Sequence, residues 1–254
     1  LLNDLLSFDN ICKSKLETIY RVRDGSYIID LANDIKNYKE FDTFSNEYSD
    51  FKFIESNDSN IKLYLTTMCE KTIERGISIE NFQVLAPMYK GINGIDSLNE
   101  LMANIFNSKN EKYKIGDKYY RINDKVIQLV NDVDNNVFNG DIGYIKDIYT
   151  EEGKMVVEIN YMGNVVTYKS GDYDKFNLAY AISIHKSQGS EYDNVVIILA
   201  HSFSRMFYNK LIYTAVTRAK KSLVILGSIN SFNESVQTTY STNRNTYLKM
   251  YNNK

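Results

Sequence analysis

Apolar residues recur at helical spacing through the first hundred positions, at every second position in the middle of the chain, and in mixed fashion again near its end. Leu1, Leu2, Leu5 and Leu6 suggest a short amphipathic helix, and Leu16 to Tyr20 reads as a strand followed by Arg21. Ser26 is a candidate N-cap, with Ile28, Leu31, Ala32 and Ile35 behind it on one helical face. Residues 38–58 are polar, aromatic and acidic without a period, and read as a loop holding a short strand at Phe51 to Ile54. Ile61, Leu65, Met68 and Thr72 carry the next helix, which Gly76 stops. Phe82 to Ala86 is a short buried strand ended by Pro87. Gly91 and Gly94 mark a loop, and Ile95, Leu98, Leu101, Met102 and Ile105 form another helix.

Near Lys112 the period changes to two. Lys118 to Arg121, Lys125 to Val130, Gly143 to Tyr149, Met155 to Asn160 and Val165 to Tyr168 read as strands. The pairs Asn139-Gly140, Glu152-Gly153 and Met162-Gly163 punctuate them. This pattern predicts a small antiparallel barrel. After Asp174 an α/β pattern returns: strand Leu178 to Ile184, strand Val195 to Ala200, a helix around Asn209 to Lys220, and strand Leu223 to Leu226. The fold class is therefore α/β: a parallel-sheet domain in two parts, residues 1–111 and 176–254, interrupted by a β-barrel over residues 112–175.

Composition narrows the function. At 254 residues and 43% hydrophobic the chain can bury a substantial core. A net charge of −2 gives no molecule-wide field for nucleic acid, so any such binding depends on a local site. No apolar run approaches twenty residues, which argues against a membrane span. Cys12 and Cys69 lack metal-ligand spacing and read as reduced thiols of a cytoplasmic protein. The first residue is Leu1, with neither initiator Met nor signal pattern, so the expectation is a piece of a longer protein.

Two segments carry candidate chemistry. An apolar run breaks into His185-Lys186-Ser187-Gln188-Gly189-Ser190-Glu191 before a second apolar run begins. Its glycine permits close backbone approach, His185 and Ser187 can donate to phosphate, Lys186 adds charge, and Glu191 can accept from a ribose hydroxyl. Alone, such a turn reads as a surface loop. Downstream lies Tyr213-Thr-Ala-Val-Thr-Arg-Ala-Lys-Lys221, where a helical wheel sets Arg218 at the rim of an apolar arc. A guanidinium there suits a γ-phosphate, or a structural salt bridge.

Together these segments resemble the last two signature motifs of RecD-like helicases, the RecD/TraA group of superfamily 1. Leu16-Glu-Thr-Ile-Tyr-Arg21, Val84-Leu-Ala-Pro-Met-Tyr-Lys-Gly91 with Gly94 to Asn99, Asp124 to Gln128, and Val137-Phe-Asn-Gly-Asp-Ile-Gly143 agree with the same group. The resemblance implies a RecA-like second motor domain, of the P-loop NTPase helicase kind, carrying an SH3-like barrel. It implies that Arg21 and Arg218 reach a γ-phosphate as arginine fingers, and that Gly189 and Glu191 contact the nucleotide side. Met88, Tyr89, Lys90, His185, Lys186, Ser187 and Asn139 would line a track for single-stranded DNA. The family moves 5′ to 3′ on DNA, driven by ATP and Mg2+, and serves DNA repair and recombination. One departure is Val22, where the family usually has Gln after the arginine; an apolar side chain cannot replace an amide's donor and acceptor.

No Gly-x-x-x-x-Gly-Lys-[Ser/Thr] loop occurs in the chain. The expectation is that the phosphate-binding loop belongs to an N-terminal motor domain of the same polypeptide, that this piece alone is inactive, and that it binds no ATP or metal by itself. A rival is a stand-alone module binding nucleic acid or protein. A hydrolase built on His185 or His201 is disfavoured, because no Gly-x-Ser-x-Gly elbow occurs.

Overall fold

The computed structural model describes residues 25–45 and 47–239, together with Leu5, Leu6, Phe8 and residues 11–14. The helix expected at Leu1 to Leu6 falls largely outside the described residues. The strand Leu16 to Tyr20, with Arg21 and Val22, falls wholly outside them.

Helix α1 (Tyr27–Lys36) starts where Ser26 can cap it: the hydroxyl accepts from the Ile28 N–H at 3.2 Å and donates to the Asp50 carboxylate. Its face Ile28, Leu31, Ala32 and Ile35 is buried. Strand β1 (Phe51–Glu55) leads into α2 (Ile61–Glu74), which ends at Gly76 with φ +64. Strand β2 (Phe82–Ala86) is buried at all five positions, as a central parallel strand must be. Helix α3 (Ile95–Phe106) follows and buries Ile95, Leu98, Asn99, Met102 and Ala103.

The chain then leaves this layer. A hairpin, β3 (Tyr113–Ile115) and β4 (Lys118–Tyr120), precedes an antiparallel sheet of β5 (Lys125–Gln128), β6 (Ile142–Glu151), β7 (Lys154–Tyr161), β8 (Asn164–Tyr168) and β9 (Phe176–Leu178). Their order is β8-β7-β6-β5-β9. The chain returns through β10 (Ala181–Ser183), β11 (Tyr192–Leu199), α4 (Asn209–Val216), β12 (Ala219–Gly227) and α5 (Ile229–Gln237). The main sheet has the order β1-β12-β11-β2-β10, with every neighbouring pair parallel.

Two of the boundaries that differ from the sequence reading bear on the site, one for a distant reason and one for a local one. The apolar run Leu178 to Ile184 is not one strand. Its start pairs with β5 in the antiparallel sheet, and its end pairs with β2 in the parallel one. Asn99 holds the change of sheet: its amide donates to the carbonyls of Leu178 and Ala181, both at 3.0 Å, and accepts from the Ala181 N–H at 2.8 Å. The second difference is α4, which ends at Val216 and not near Lys220. The Thr217 hydroxyl donates back to the Thr214 carbonyl at 3.0 Å, and β12 begins at Ala219. Arg218 therefore stands between helix and strand.

Among the described residues the apolar side chains form two cores. One fills the parallel layer; the other lies within the antiparallel sheet and includes Ile115 and Tyr120 of the hairpin. Strand β5 belongs to both. Ile127 packs in the first core and Val126 in the second, as alternation along a strand requires.

Candidate functional site

Parallel neighbours end together, so the loops leaving β2 and β10 emerge at one edge of the sheet. Ser183 pairs with Ala86, and the Ile184 N–H donates to the Ala86 carbonyl at 3.3 Å. Ligands of open α/β sheets gather at this carboxyl edge. The loop after β2 is drawn back onto α3: the carbonyls of Met88 and Tyr89 accept from the N–H groups of Ile95 and Asp96 at 2.9 and 3.1 Å. Gly94 is required there, because a Cβ would lie 2.5 Å from the carbonyl oxygens of Tyr89 and Lys90. Tyr89 is left exposed, and the exposed Lys90 pairs with Asp96 at 2.9 Å.

The polar turn after β10 has a compact beginning. The Ser187 N–H donates to the Ser183 carbonyl at 3.2 Å, and the Ser187 hydroxyl donates to the Ile184 carbonyl at 2.7 Å. Ser187 is fully buried, so its hydroxyl builds the turn and is not presented at the surface. His185 is exposed. Lys186 is partly buried, and its Nζ donates to Asn139 Oδ1 at 2.9 Å. Burial pushes the Lys186 ammonium below its ordinary range. Asn139 comes from the antiparallel sheet, in the turn between β5 and β6, where its N–H donates to Asn131 Oδ1 at 2.9 Å. The structure thus joins two segments that are 47 positions apart in sequence.

The turn does not end where it starts. Residues 184–191 carry the chain from the carboxyl end of β10 to the amino end of β11, passing β2, with no helix between. Gly189 has φ +88, a conformation that favours glycine, and is exposed. At the far end the Ser190 carbonyl accepts from Arg218 Nη1 at 3.0 Å. Arg218 is 9% exposed; its Nε donates to the Thr214 carbonyl at 3.1 Å and its Nη2 to Thr217 Oγ1 at 3.2 Å. Glu191 pairs with Lys220 at 3.0 Å, and Asp193 pairs with Lys221 at 2.7 Å. One short crossover therefore has the Lys186–Asn139 contact at one end and the Arg218–Glu191 cluster at the other. Arg21, the other expected finger, lies outside the described residues.

The structure also brings forward residues that the sequence reading passed over. Lys125, at the start of β5, is 1% exposed. Its Nζ donates to the carbonyls of Ile79 and Phe82 and to Gln83 Oε1, each at 3.1 Å, and lies 5.9 Å from the centre of the Tyr192 ring. Burial pushes this ammonium down to about 7. Beside it, the fully buried Asp124 accepts from Asn107 Nδ2 at 2.8 Å, Tyr180 Oη at 2.9 Å and the Arg121 N–H at 2.7 Å. Burial raises the Asp124 carboxyl above the usual range. The signal was present in Lys125-Val-Ile-Gln128, where each face of the strand carries one polar and one apolar residue. Such a strand has no face designed for water.

Among the described residues, a five-stranded parallel sheet interrupted by a small antiparallel unit resembles a RecA-like domain of the helicase kind with an SH3-like insert. Residues 98–159 match the SH3 domain of ATP-dependent RecD-like DNA helicases, and residues 178–226 match the UvrD-like helicase C-terminal domain. Over these segments the chain is similar to a C-terminal region of RecD-like helicases. It is 34% identical over 150 residues to the ATP-dependent RecD2 DNA helicase of Deinococcus radiodurans, covering 59% of this chain and 20% of that protein. It is 31% identical over 248 residues to the RecBCD enzyme subunit RecD of Buchnera aphidicola subsp. Acyrthosiphon pisum, covering 88% of this chain and 40% of that one. The chain thus spans less than half the length of these relatives. Among solved structures, the Pif1 helicase of Candida albicans shares the fold, with a TM-score of 0.54 at 15% identity over 94% of this chain and 59% of that one. Among the described residues no helix is long and apolar enough to cross a membrane.

Proposed function

We propose that the chain is the second motor half of an ATP-driven 5′-to-3′ DNA helicase. In this reading Arg21 and Arg218 face the γ-phosphate of a nucleotide held, with its Mg2+, by an N-terminal motor domain of the same polypeptide. Gly189 and Glu191 stand on the nucleotide side. His185, Lys186, the Met88 to Lys90 loop and Asn139 form part of the track for single-stranded DNA, and Ser187 shapes the track from within.

The observation that carries this reading is the crossover of residues 184–191, a single short segment that runs from the Arg218 cluster to the Lys186–Asn139 contact. In this reading a change in what Arg218 touches reaches Lys186 through that segment. Arg218 suits the role because three of its nitrogens are fixed by neutral oxygens, which orients a guanidinium that is always charged. In this reading the chain alone turns over no ATP, because the amides that would cradle the phosphates belong to the other domain.

The test is single-strand binding by the chain as a function of salt. Phosphate-dominated binding is expected in the micromolar range or weaker, falling steeply as salt rises. Lys186→Ala is expected to weaken it alike for all sequences and to reduce the salt slope by about one. Binding that ignores salt, or a Lys186→Ala variant with unchanged affinity and slope, overturns the track. Binding of a protein partner in place of nucleic acid would favour a stand-alone module.

A further inference from the structure

The antiparallel unit is joined to the parallel sheet by a strand with a work surface on each side. Lys125 and Ile127 of β5 face the parallel layer, and Val126 and Gln128 face the second core. At one end of β5, the Lys125 ammonium enters the parallel layer and uses its three N–H groups on three oxygens of the segment Ile79 to Gln83. Gln83 turns its own amide to the carbonyls of Ala179 and Tyr180 at 3.1 and 3.0 Å, which fixes the link between β9 and β10. The Ala179 N–H donates to the Lys125 carbonyl at 2.8 Å and completes the ring. At the other end of β5, the Gln128 N–H donates to the Asp141 carbonyl and the Gln128 carbonyl accepts from the Gly140 N–H, both at 2.9 Å. Those bonds fix the turn that contains Asn139, the residue that meets Lys186.

We propose that Lys125, with Gln83, is the positioning joint that seats the SH3-like unit on the motor sheet and so holds Asn139 over Lys186. The proposal rests on the single-strand reading of that contact. Strand β5 acts as a four-residue rod, pinned in the motor by Lys125 and bearing the Asn139 turn at its far end. A lysine serves where an apolar side chain would not, because in its protonated form its three donors match the carbonyls of Ile79 and Phe82 and Gln83 Oε1.

The test uses the whole chain with Cys12→Ser and spin labels at Leu63→Cys on α2 and Met162→Cys at the β7–β8 tip, both highly exposed positions. The unaltered joint is expected to give one narrow distance distribution. Lys125→Met is expected to broaden it at least twofold and to weaken single-stranded oligonucleotide binding about tenfold while the protein still melts cooperatively. Asn139→Ala is expected to weaken binding similarly, and to add little in the Lys125→Met background, since both act through one contact. A merely structural lysine would lower the melting temperature and leave distances and binding unchanged, and that result overturns the proposal. Additive losses in the double variant overturn it as well. Should Lys125→Met fail to fold, Gln83→Leu removes one acceptor from the opposite side, with the same two readouts deciding. A parent chain that binds no strand overturns the functional reading and the positioning role together, whereas a parent that binds beside an unaffected Lys125→Met sinks the joint alone.

Discussion

Arg218 leaves α4 one residue after its cap and is fixed by the carbonyls of Thr214 and Ser190 before any ligand arrives. Orientation prepared in this way costs nothing at the moment of reaction. Under the proposed reading, Arg218→Ala in the full-length protein is expected to lower ATP turnover by about 10³- to 10⁵-fold, by analogy with other arginine fingers. A variant within tenfold of the parent in steady-state hydrolysis assays would remove Arg218 from that role. Lys125 makes a different prediction. Its ordinary value of 10.5 falls to about 7 in the fold through burial, with Glu80 opposing weakly. Between those values the unfolded chain binds more protons than the folded one, so folding stability rises with pH, by at most about 1.4 kcal/mol per unit. Denaturant melts at pH 7.5 and 8.5 are expected to show the rise in the parent chain and its absence in Lys125→Met. The window stops short of pH 9, where the buried Cys69 thiol, pushed up by burial from its ordinary 9.0 to about 12, and then the buried tyrosines Tyr120 and Tyr180 begin to oppose it. Equal stability at both values would mean that the three oxygens around Nζ keep its proton in place.

The elements that carry the site are short, and their ends matter more than their middles. Gly94→Ala sets a methyl group against the oxygens of Tyr89 and Lys90 at 2.5 Å, and backbone cannot yield as a flexible side chain does. The expected cost is about 1–3 kcal/mol, with the Met88 to Lys90 loop displaced. Thermal melts, with hydrogen exchange at Ile95 and Asp96, check it; an unchanged melt removes the claimed role of that glycine. The middles of these elements were legible in the sequence. The burial period of α1 and α3, the buried β2, apolar apart from Gln83, and the alternation of β6 up to its bulge after Ile145 follow from local spacing. The ends were not legible. An apolar run cannot announce that it changes sheet between Leu178 and Ala181, because the cause is Asn99, some 80 positions away. A helical wheel drawn past Thr217 put Arg218 on a face that does not exist. The burial of Lys125 was not legible either, because the partners that bury it come from residues 79–83. The Lys186–Asn139 contact needed the fold to become visible at all.

At the scale of the molecule, the proposed reading makes the chain half of a composite site, with Arg218 and Lys220 at the amino end of β11 and β12 and Lys186 beyond the carboxyl end of β10. The purified chain is expected to show no steady ATP hydrolysis, with or without single-stranded DNA, and to acquire it only with an N-terminal motor domain. Coupled phosphate-release assays check this. Sustained turnover by the chain alone, lost in Arg218→Ala, would overturn the division of labour.

Strand β5 has an inside on both of its sides. An engineer who excises the small domain at its sequence joins would take Ile127 out of the larger core and leave the oxygens of Ile79 and Phe82 facing a hole. Loops such as Glu152-Gly153 can be lengthened or exchanged freely, but grafting a foreign insert onto this scaffold has to begin after Gln128 and end before Phe176.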